Sequence, residues 1–310
     1  MCNNNYQSRQ VYVKRAKAKY TQQKLLRALL KLNSKYAKRY DSALYCSSVL
    51  IQKGNKLTSR FCNQRFCNLC NRIRTAKLLN GYAPALEKMV DPRLVTLTIP
   101  SCKGEDLKYE IRKMICEVKK MQDLRRKLKR DPIVGLRKLE VTYNPDIDLY
   151  HPHFHFIVDG ENLGNEMIQE WMDRNPTADR RGQDERKATS PKELFKYFTK
   201  MTSKSKSDTV IIKNGKMIRL SYQYPEAIDT IFQAIENSRI IQPMGGVKMI
   251  SEDVDVDIQT ITDIDEDSTT WIYHRSDWVN TSTGELLSGY IPSKLDESKR
   301  KKIRYLQESS

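Results

Sequence analysis

Residues 150–160 read YHPHFHFIVDG and hold three of the four histidines in a chain of 310 residues. His151, His153 and His155 alternate, and on a β-strand alternate side chains leave from one face. Two imidazoles at i and i+2 stand close enough to grip one metal ion. The preceding run IVGLRKLEVTYN (133–144) reads as a strand, PDIDLY as a turn and HFHFIV as the returning strand. Such a hairpin lets Glu140 reach the histidine face from the mate strand. The expected centre is His153, His155 and Glu140 around one divalent cation, with positions open for a substrate oxygen. His151, nearest the turn, is either a fourth ligand or a group behind the ligands. A register slip of one residue would carry Glu140 to the opposite face.

The segments LRKLEVTYN and YHPHFHFIV resemble the metal-binding region of the rolling-circle replication initiators of small bacterial plasmids, within the HUH endonuclease superfamily. His153-Phe154-His155 is its His-hydrophobic-His core. The resemblance implies an enzyme that cuts single-stranded DNA with a tyrosine in a Tyr-x-x-Lys setting, aided by Mg²⁺ or Mn²⁺. It leaves a 5′-phosphotyrosine and a free 3′-hydroxyl that primes synthesis. SPKELFKYFTKM (190–201) supplies the candidate. Ser190 suits the N-cap, Pro191 the first helical position and Glu193 the third, and Tyr197 and Lys200 then lie one turn apart on one face. A phenol with a pKa of about 10 is a poor nucleophile at neutral pH, so Lys200 would favour the phenolate or neutralise the developing phosphate charge. Glu193 matches a glutamate that some such initiators place four residues before the tyrosine as a general base. The Ser190–Glu193 capping box accounts for it equally well. LVTLTIPS (94–101) is similar to the family's opening motif, and RIIQPMGGVKMI (239–250) to a further family stretch. The resemblance covers roughly residues 43–250 and implies origin and single-stranded DNA as ligands, with host helicase and DNA polymerase as partners.

CNQRFCNLC places Cys62, Cys67 and Cys70 in a C-x4-C-x2-C cluster. C-x2-C lets two thiolates reach one tetrahedral ion, and Cys46 is the nearest free candidate to close the set as a structural Zn²⁺ site. Arg65, Arg72 and Arg74 around it are candidate phosphate contacts. Arg125 and Arg126, in the basic end of a long helix, are candidates too, although the helix dipole alone would favour cations there.

These groups need elements to hold them. The sequence predicts a strand at 94–99, an amphipathic helix from Glu105 to Arg130, the 133–158 hairpin and helices at 163–174, 191–201 and about 225–238. A hairpin at 210–220 turns on Asn214-Gly215, and 244–250 reads as a last short strand. The order suggests an α+β fold, a central antiparallel sheet with helices on one face in a split βαβ (RRM-like, HUH-type palm) arrangement. A basic N-terminal helical and cysteine-rich, zinc-ribbon-like segment precedes it. The expected division is 1–90, 91–250 as the nuclease domain, and 251–310 as an acidic segment and tail.

The net charge of +17 points to a polyanionic partner. It is unevenly spread: residues 1–40 hold 11 Lys or Arg and no acid, whereas 251–267 hold eight acids and no base. No run is apolar enough to span a membrane and the first ten residues lack the apolar segment of a signal peptide, so the expected location is the cytoplasm. Two other readings use the same residues: a transposase or mobilisation protein of HUH chemistry, and a binding-only zinc-ribbon nucleic-acid protein.

Overall fold

A computed structural model describes residues 2–54, 56–188, 209–213, 216–220, 224–249, 258–260, 268–300 and 303. In chain order the elements are α1 (Cys2–Leu30), α2 (Ala37–Leu44), β1 (Val49–Lys53), β2 (Lys56–Ser59), α3 (Asn68–Leu86), β3 (Pro92–Thr98), α4 (Leu107–Lys127), β4 (Gly135–Asn144), β5 (Leu149–Asp159), α5 (Leu163–Arg174) and β6 (Asp184–Lys187). There follow β7 (Thr209–Lys213), β8 (Lys216–Leu220), the helix Pro225–Ala234, β9 (Ile241–Met244), β10 (Ile258–Thr260), β11 (Thr269–His274), β12 (Asp277–Asn280) and the helix Lys294–Arg300. The fold is α+β. Its two compact units are residues 1–76, 223–226 and 253–310, and residues 77–222 and 227–252. No helix among the described residues is long and apolar enough to cross a membrane.

The first unit is built on a sheet ordered β10-β2-β1-β11-β12, antiparallel except where β10 runs parallel to β2. Ala16 and Tyr20, one helical turn apart on α1, pack with Leu50, Leu57, Trp271, Trp278 and Tyr290. Both indoles find partners, Trp278 donating to the Ser47 carbonyl at 2.8 Å and Trp271 to Gln52 at 2.9 Å, as buried indole N–H groups must. The expectation of an acidic segment and tail over 251–310 is thus corrected in part. Thr269–Asn280 is a hairpin completing this sheet, and its tryptophans are core. The acidic residues 251–257 and 261–267 lie outside the described residues.

The second unit carries the sheet β6-β3-β5-β4-β9, antiparallel throughout. Because β3 and β4 are each antiparallel to β5, they run the same way with β5 between them, and α4 makes the crossover. That is a split βαβ arrangement. On one face Phe154, Phe156 and Val158 are buried. The fully buried Trp171 of α5 stands edge-on to Phe154 and donates to the Thr98 carbonyl at 2.8 Å. On α4, Leu107, Ile111, Met114, Val118 and Met121 form the buried stripe. The opposite face is not bare, as helices on one side only would leave it. Tyr82 and Leu86 from the end of α3 pack on Leu94, Leu136 and Ile157.

Three further expectations are corrected. The last strand of this sheet is Ile241–Met244, earlier than 244–250, because Gly245 and Gly246 take positive φ (62° and 84°) and turn the chain away. Residues 12–40, whose leucine spacing predicts one basic amphipathic helix, instead split between α1 and α2, with Asn33 at φ 48° between them. Arg125 belongs to the buried stripe of α4, with its side chain 2% exposed. It donates to the Asp131 carbonyl at 2.7 Å, Glu170 at 2.8 Å and Glu166 at 2.8 Å, so its fork is occupied inside the fold and is not a DNA contact. Arg126, one residue on, is exposed beside Asp123. The β7–β8 hairpin pairs Lys213 with Lys216, and its Asn214-Gly215 tip lies outside the described residues.

Gly135 opens β4 at φ 155°, opposite Val158, where a Cβ would lie 1.8 Å from the Ile157 carbonyl oxygen. Gly135→Ala is therefore expected to destabilise the second unit by about 3 kcal/mol or more, read as a lowered urea midpoint with the slope unchanged.

Candidate functional site

Along β5 one face changes character. Ile157 sits in the apolar cluster under the end of α3, and the next residues on that face are His155, His153 and His151. Pairing brings neighbours to them from both sides. His155 lies opposite Thr96 on β3 and Lys138 on β4, and His153 lies opposite Thr98 and Glu140. One ligand atom each from Glu140, His153 and His155 fall within 4.8 Å of one another. His155 Nε2 is 3.6 Å from Glu140 Oε2.

The second nitrogen of each ring is engaged behind the site. His153 Nδ1 stands 3.1 Å from the His151 carbonyl, which can only accept, so Nδ1 is the donor there and Nε2 is the nitrogen left for a ligand role. His155 Nδ1 meets Thr96 Oγ1 at 3.1 Å. Burial, then the neighbouring His153, pushes the His155 pKa down from 6.5 to about 4, so the ring is neutral at physiological pH. Backing hydrogen bonds and a neutral ring are what metal-ligating histidines show. Two imidazoles and a carboxylate fit a divalent cation and leave room for further oxygen ligands. His151 stands apart from the three: its Nδ1 faces Ser101 Oγ at 3.4 Å and its ring stacks on His153. Tyr197, Lys200 and Glu193 lie outside the described residues.

A second group of metal-competent side chains lies in the first unit. Cys46 follows α2, Cys62 follows β2, and Cys67 and Cys70 straddle the start of α3. Their four sulfurs gather within 4.8 Å. Cys70 Sγ is 3.5 Å from that of Cys46 and 3.6 Å from that of Cys62. A tetrahedron of sulfurs about 2.3 Å from a central zinc has edges of about 3.8 Å, so the set is near the size required. Hydrogen bonds from Cys46, then from Cys62 and Cys70, hold the Cys67 thiol below the ordinary thiol range. Helix α1 backs the cluster. Lys19 Nζ donates to the Cys46 carbonyl at 2.6 Å and to Ser48 Oγ at 3.0 Å. Gln22 Nε2 donates to Cys67 Sγ at 3.8 Å, and its Oε1 accepts from the Asn68 amide at 2.6 Å. Nearby, Arg74 donates to the Asn63 carbonyl at 3.0 Å and Arg72 is exposed. Burial and the Arg74 charge lower the pKa of the half-buried Arg65.

Residues 54–161 match a family model described as "Replication protein". Across that stretch this chain resembles replication proteins. It is 30% identical over 135 residues to "Protein rep" of a Bacillus species, covering 40% of this chain and 44% of the relative. To "Protein rep" of Bacillus amyloliquefaciens it is 30% identical over 135 residues, covering 40% of each. To that of Staphylococcus aureus it is 31% identical over 115 residues, covering 35% of this chain and 49% of the relative. The chain thus spans less than half the length of these curated relatives. No solved structure matches it. The replication-protein segment contains Glu140, all three clustered histidines, Cys62, Cys67 and Cys70, and neither Cys46 nor Tyr197.

Several residues of both groups escaped the sequence reading. Lys138 lies on the histidine face two positions before Glu140, where strand alternation alone could have placed it. Gln183 clamps β3 beside the site, accepting from the Thr98 amide at 2.8 Å and donating to its carbonyl at 3.3 Å, and it carries no local signal. Lys19 and Gln22 are hidden among the many polar residues of α1.

Two outcomes are expected. The purified chain carries one tightly held metal ion at the thiols by elemental analysis, and Cys67→Ser loses it together with several degrees of melting temperature. As for His155, the unfolded chain takes up a proton between pH 6.5 and 4 that the folded chain refuses. Its contribution to stability is full above pH 6.5 and falls as pH drops towards 4. His155→Gln should flatten the pH dependence of the urea midpoint in that window.

Proposed function

We propose that this chain initiates rolling-circle replication of a plasmid by nicking single-stranded DNA at the origin, with the second unit as an HUH-type palm. The observation that carries the reading is the gathering of Glu140, His153 and His155 on one face of a split βαβ sheet, inside the segment similar to replication proteins. Glu140, His153 and His155 hold Mg²⁺ or Mn²⁺. A cation bound there would supply Lewis-acid polarisation of a non-bridging phosphate oxygen. Tyr197 is the nucleophile: its oxygen forms a bond to phosphorus as the bond to the 3′ oxygen breaks. The phenol's proton leaves, with Lys200 favouring the phenolate, and the departing 3′ oxygen takes up a proton. One hard hydrolysis becomes two reversible transesterifications. Glu193 either activates water to end a round or only fills the capping-box position that the Ser190–Glu193 sequence pattern gives it.

In this reading Cys46, Cys62, Cys67 and Cys70 bind a structural Zn²⁺. Arg65, Arg72, Arg74 and Arg126 meet phosphates, which makes origin binding salt-sensitive. Host helicase and polymerase in the cytoplasm supply unwinding and synthesis.

The test is covalent capture. The full chain with labelled single-stranded DNAs and Mn²⁺ should give a denaturation-resistant adduct, absent with Tyr197→Phe and with His153→Ala/His155→Ala. An adduct that survives Tyr197→Phe would move the nucleophile elsewhere. Tight DNA binding with no adduct under Mg²⁺ or Mn²⁺ would replace the nuclease by a binding-only protein.

A further inference from the structure

Lysine is almost never fully buried unless it is paired, yet the Lys138 side chain is 2% exposed in the middle of β4. Its ammonium is 3.0 Å from Glu140 Oε2, the same oxygen that stands 3.6 Å from His155 Nε2. Strand register sets Lys138 opposite His155, as it sets Glu140 opposite His153. Packing alone does not require a cation here, because a buried ion pair is seldom more stable than apolar residues of similar size. On the same sheet face Leu136, next on β4, fills its place as a hydrocarbon.

We propose that Lys138 is a resident cation of the histidine site, which holds Glu140 in position and sets the net charge that the site presents to a phosphate. The proposal rests on the metal-centre reading above. With both imidazoles neutral, as ligation requires, the carboxylate and the ammonium cancel. A divalent cation then brings the site to +2, whereas without Lys138 the total would be +1. A phosphodiester carries one negative charge, and attack at phosphorus adds a second in the transition state. The lysine thus matches the site to the transition state better than to the ground state, the condition for accelerating a step and not only binding. The same charge has an opposite effect on the ion, since an ammonium against the ligand oxygen repels an arriving cation. Lys138 therefore weakens metal binding while strengthening catalysis. It is a positioning residue, acting through Glu140 and through its charge.

These two effects have opposite signs, and a residue that merely supports the fold would not produce them. Lys138→Gln removes the charge and keeps a donor for Glu140; Lys138→Arg keeps the charge. Mn²⁺ titration of the full-length chain by calorimetry should show Lys138→Gln binding about tenfold tighter than wild type, and Lys138→Arg close to wild type. At saturating Mn²⁺, Lys138→Gln should nick single-stranded DNA at least about tenfold more slowly. Unchanged or weaker Mn²⁺ binding by Lys138→Gln would overturn the proposal, even if nicking slowed. Lys138→Met serves as a second neutral variant, with melting curves for each. Failure of both neutral variants to fold would make Lys138 a structural residue and also overturn it. If wild type takes no Mn²⁺, the metal centre falls and the proposal with it. The expected affinity shift in a chain that never nicks would uphold the charge role of Lys138 and remove the nuclease reading alone.

Discussion

The second unit depends on one register, the pairing of β4 with β5. Side chains alternate with a period of two, so Glu140 shares a face with His153 and His155 only because it lies directly opposite His153. Both ends of the hairpin hold that register. At the turn, Tyr143 donates to Asp148 at 2.8 Å and the Asp146 amide donates to Asn144 at 3.1 Å. At the far end, Gly135 lets the strands approach where any side chain would meet a carbonyl, and Leu136 and Ile157 are locked in one apolar cluster. A slip of one residue would turn the histidines onto the hydrocarbon face and bring Phe154 and Phe156 among polar groups. The apolar residues after the histidines are therefore the reason the histidines stay where they are.

The same strand shows how burial prepares a polar site. Its even-numbered face is hydrocarbon throughout its centre, under α5 and its tryptophan. Its odd-numbered face is hydrocarbon for one residue and then polar. Burial lowers the dielectric around His155, which keeps its imidazole neutral, and it raises the cost of any unpaired charge. That cost explains why the buried Lys138 lies against Glu140 and why the rings are backed by Thr96 and a backbone carbonyl. Arg125 follows the same rule on the other side of the sheet, where two glutamates and a carbonyl absorb its fork.

Much of this unit is legible in the sequence because its signals are local. The helix over Leu107–Lys127, the hairpin from 135 to 159 and the helix over Leu163–Arg174 each declare themselves through periodicity and turn residues within one window. What is not legible depends on partners distant along the chain. The first unit's sheet joins β1 and β2 to strands more than 190 residues later, and no periodicity reports that Val49 faces Ile272. Trp271, Tyr273 and Trp278 flanking Arg275-Ser276 did carry a hairpin signal, masked by the acidic run just before it. Arg125 was misread for a related reason: a basic run at a helix end looks the same whether its members face solvent or two glutamates 41 and 45 residues away. Lys138 was overlooked because attention to histidines and acids ignores the cation between them.

The two metal-competent groups answer one electrostatic problem in different ways. Four thiolates around a divalent ion leave two negative charges, which a protein interior tolerates only with compensation. Helix α1 brings the buried Lys19 ammonium to the Cys46 carbonyl and the Gln22 amide N–H to Cys67, so donors from α1 back the cluster. That is the environment of an ion held for structure. The histidine group has the reverse balance, one carboxylate against a lysine before any ion arrives. Such a site is neutral beforehand, so a divalent cation bound there would keep its whole charge for an anion in front of it. The donor sets thus suit different tasks: the sulfurs gather the turns around Cys46 and Cys62 at the start of helix α3, and in the proposed function the imidazoles serve a phosphate.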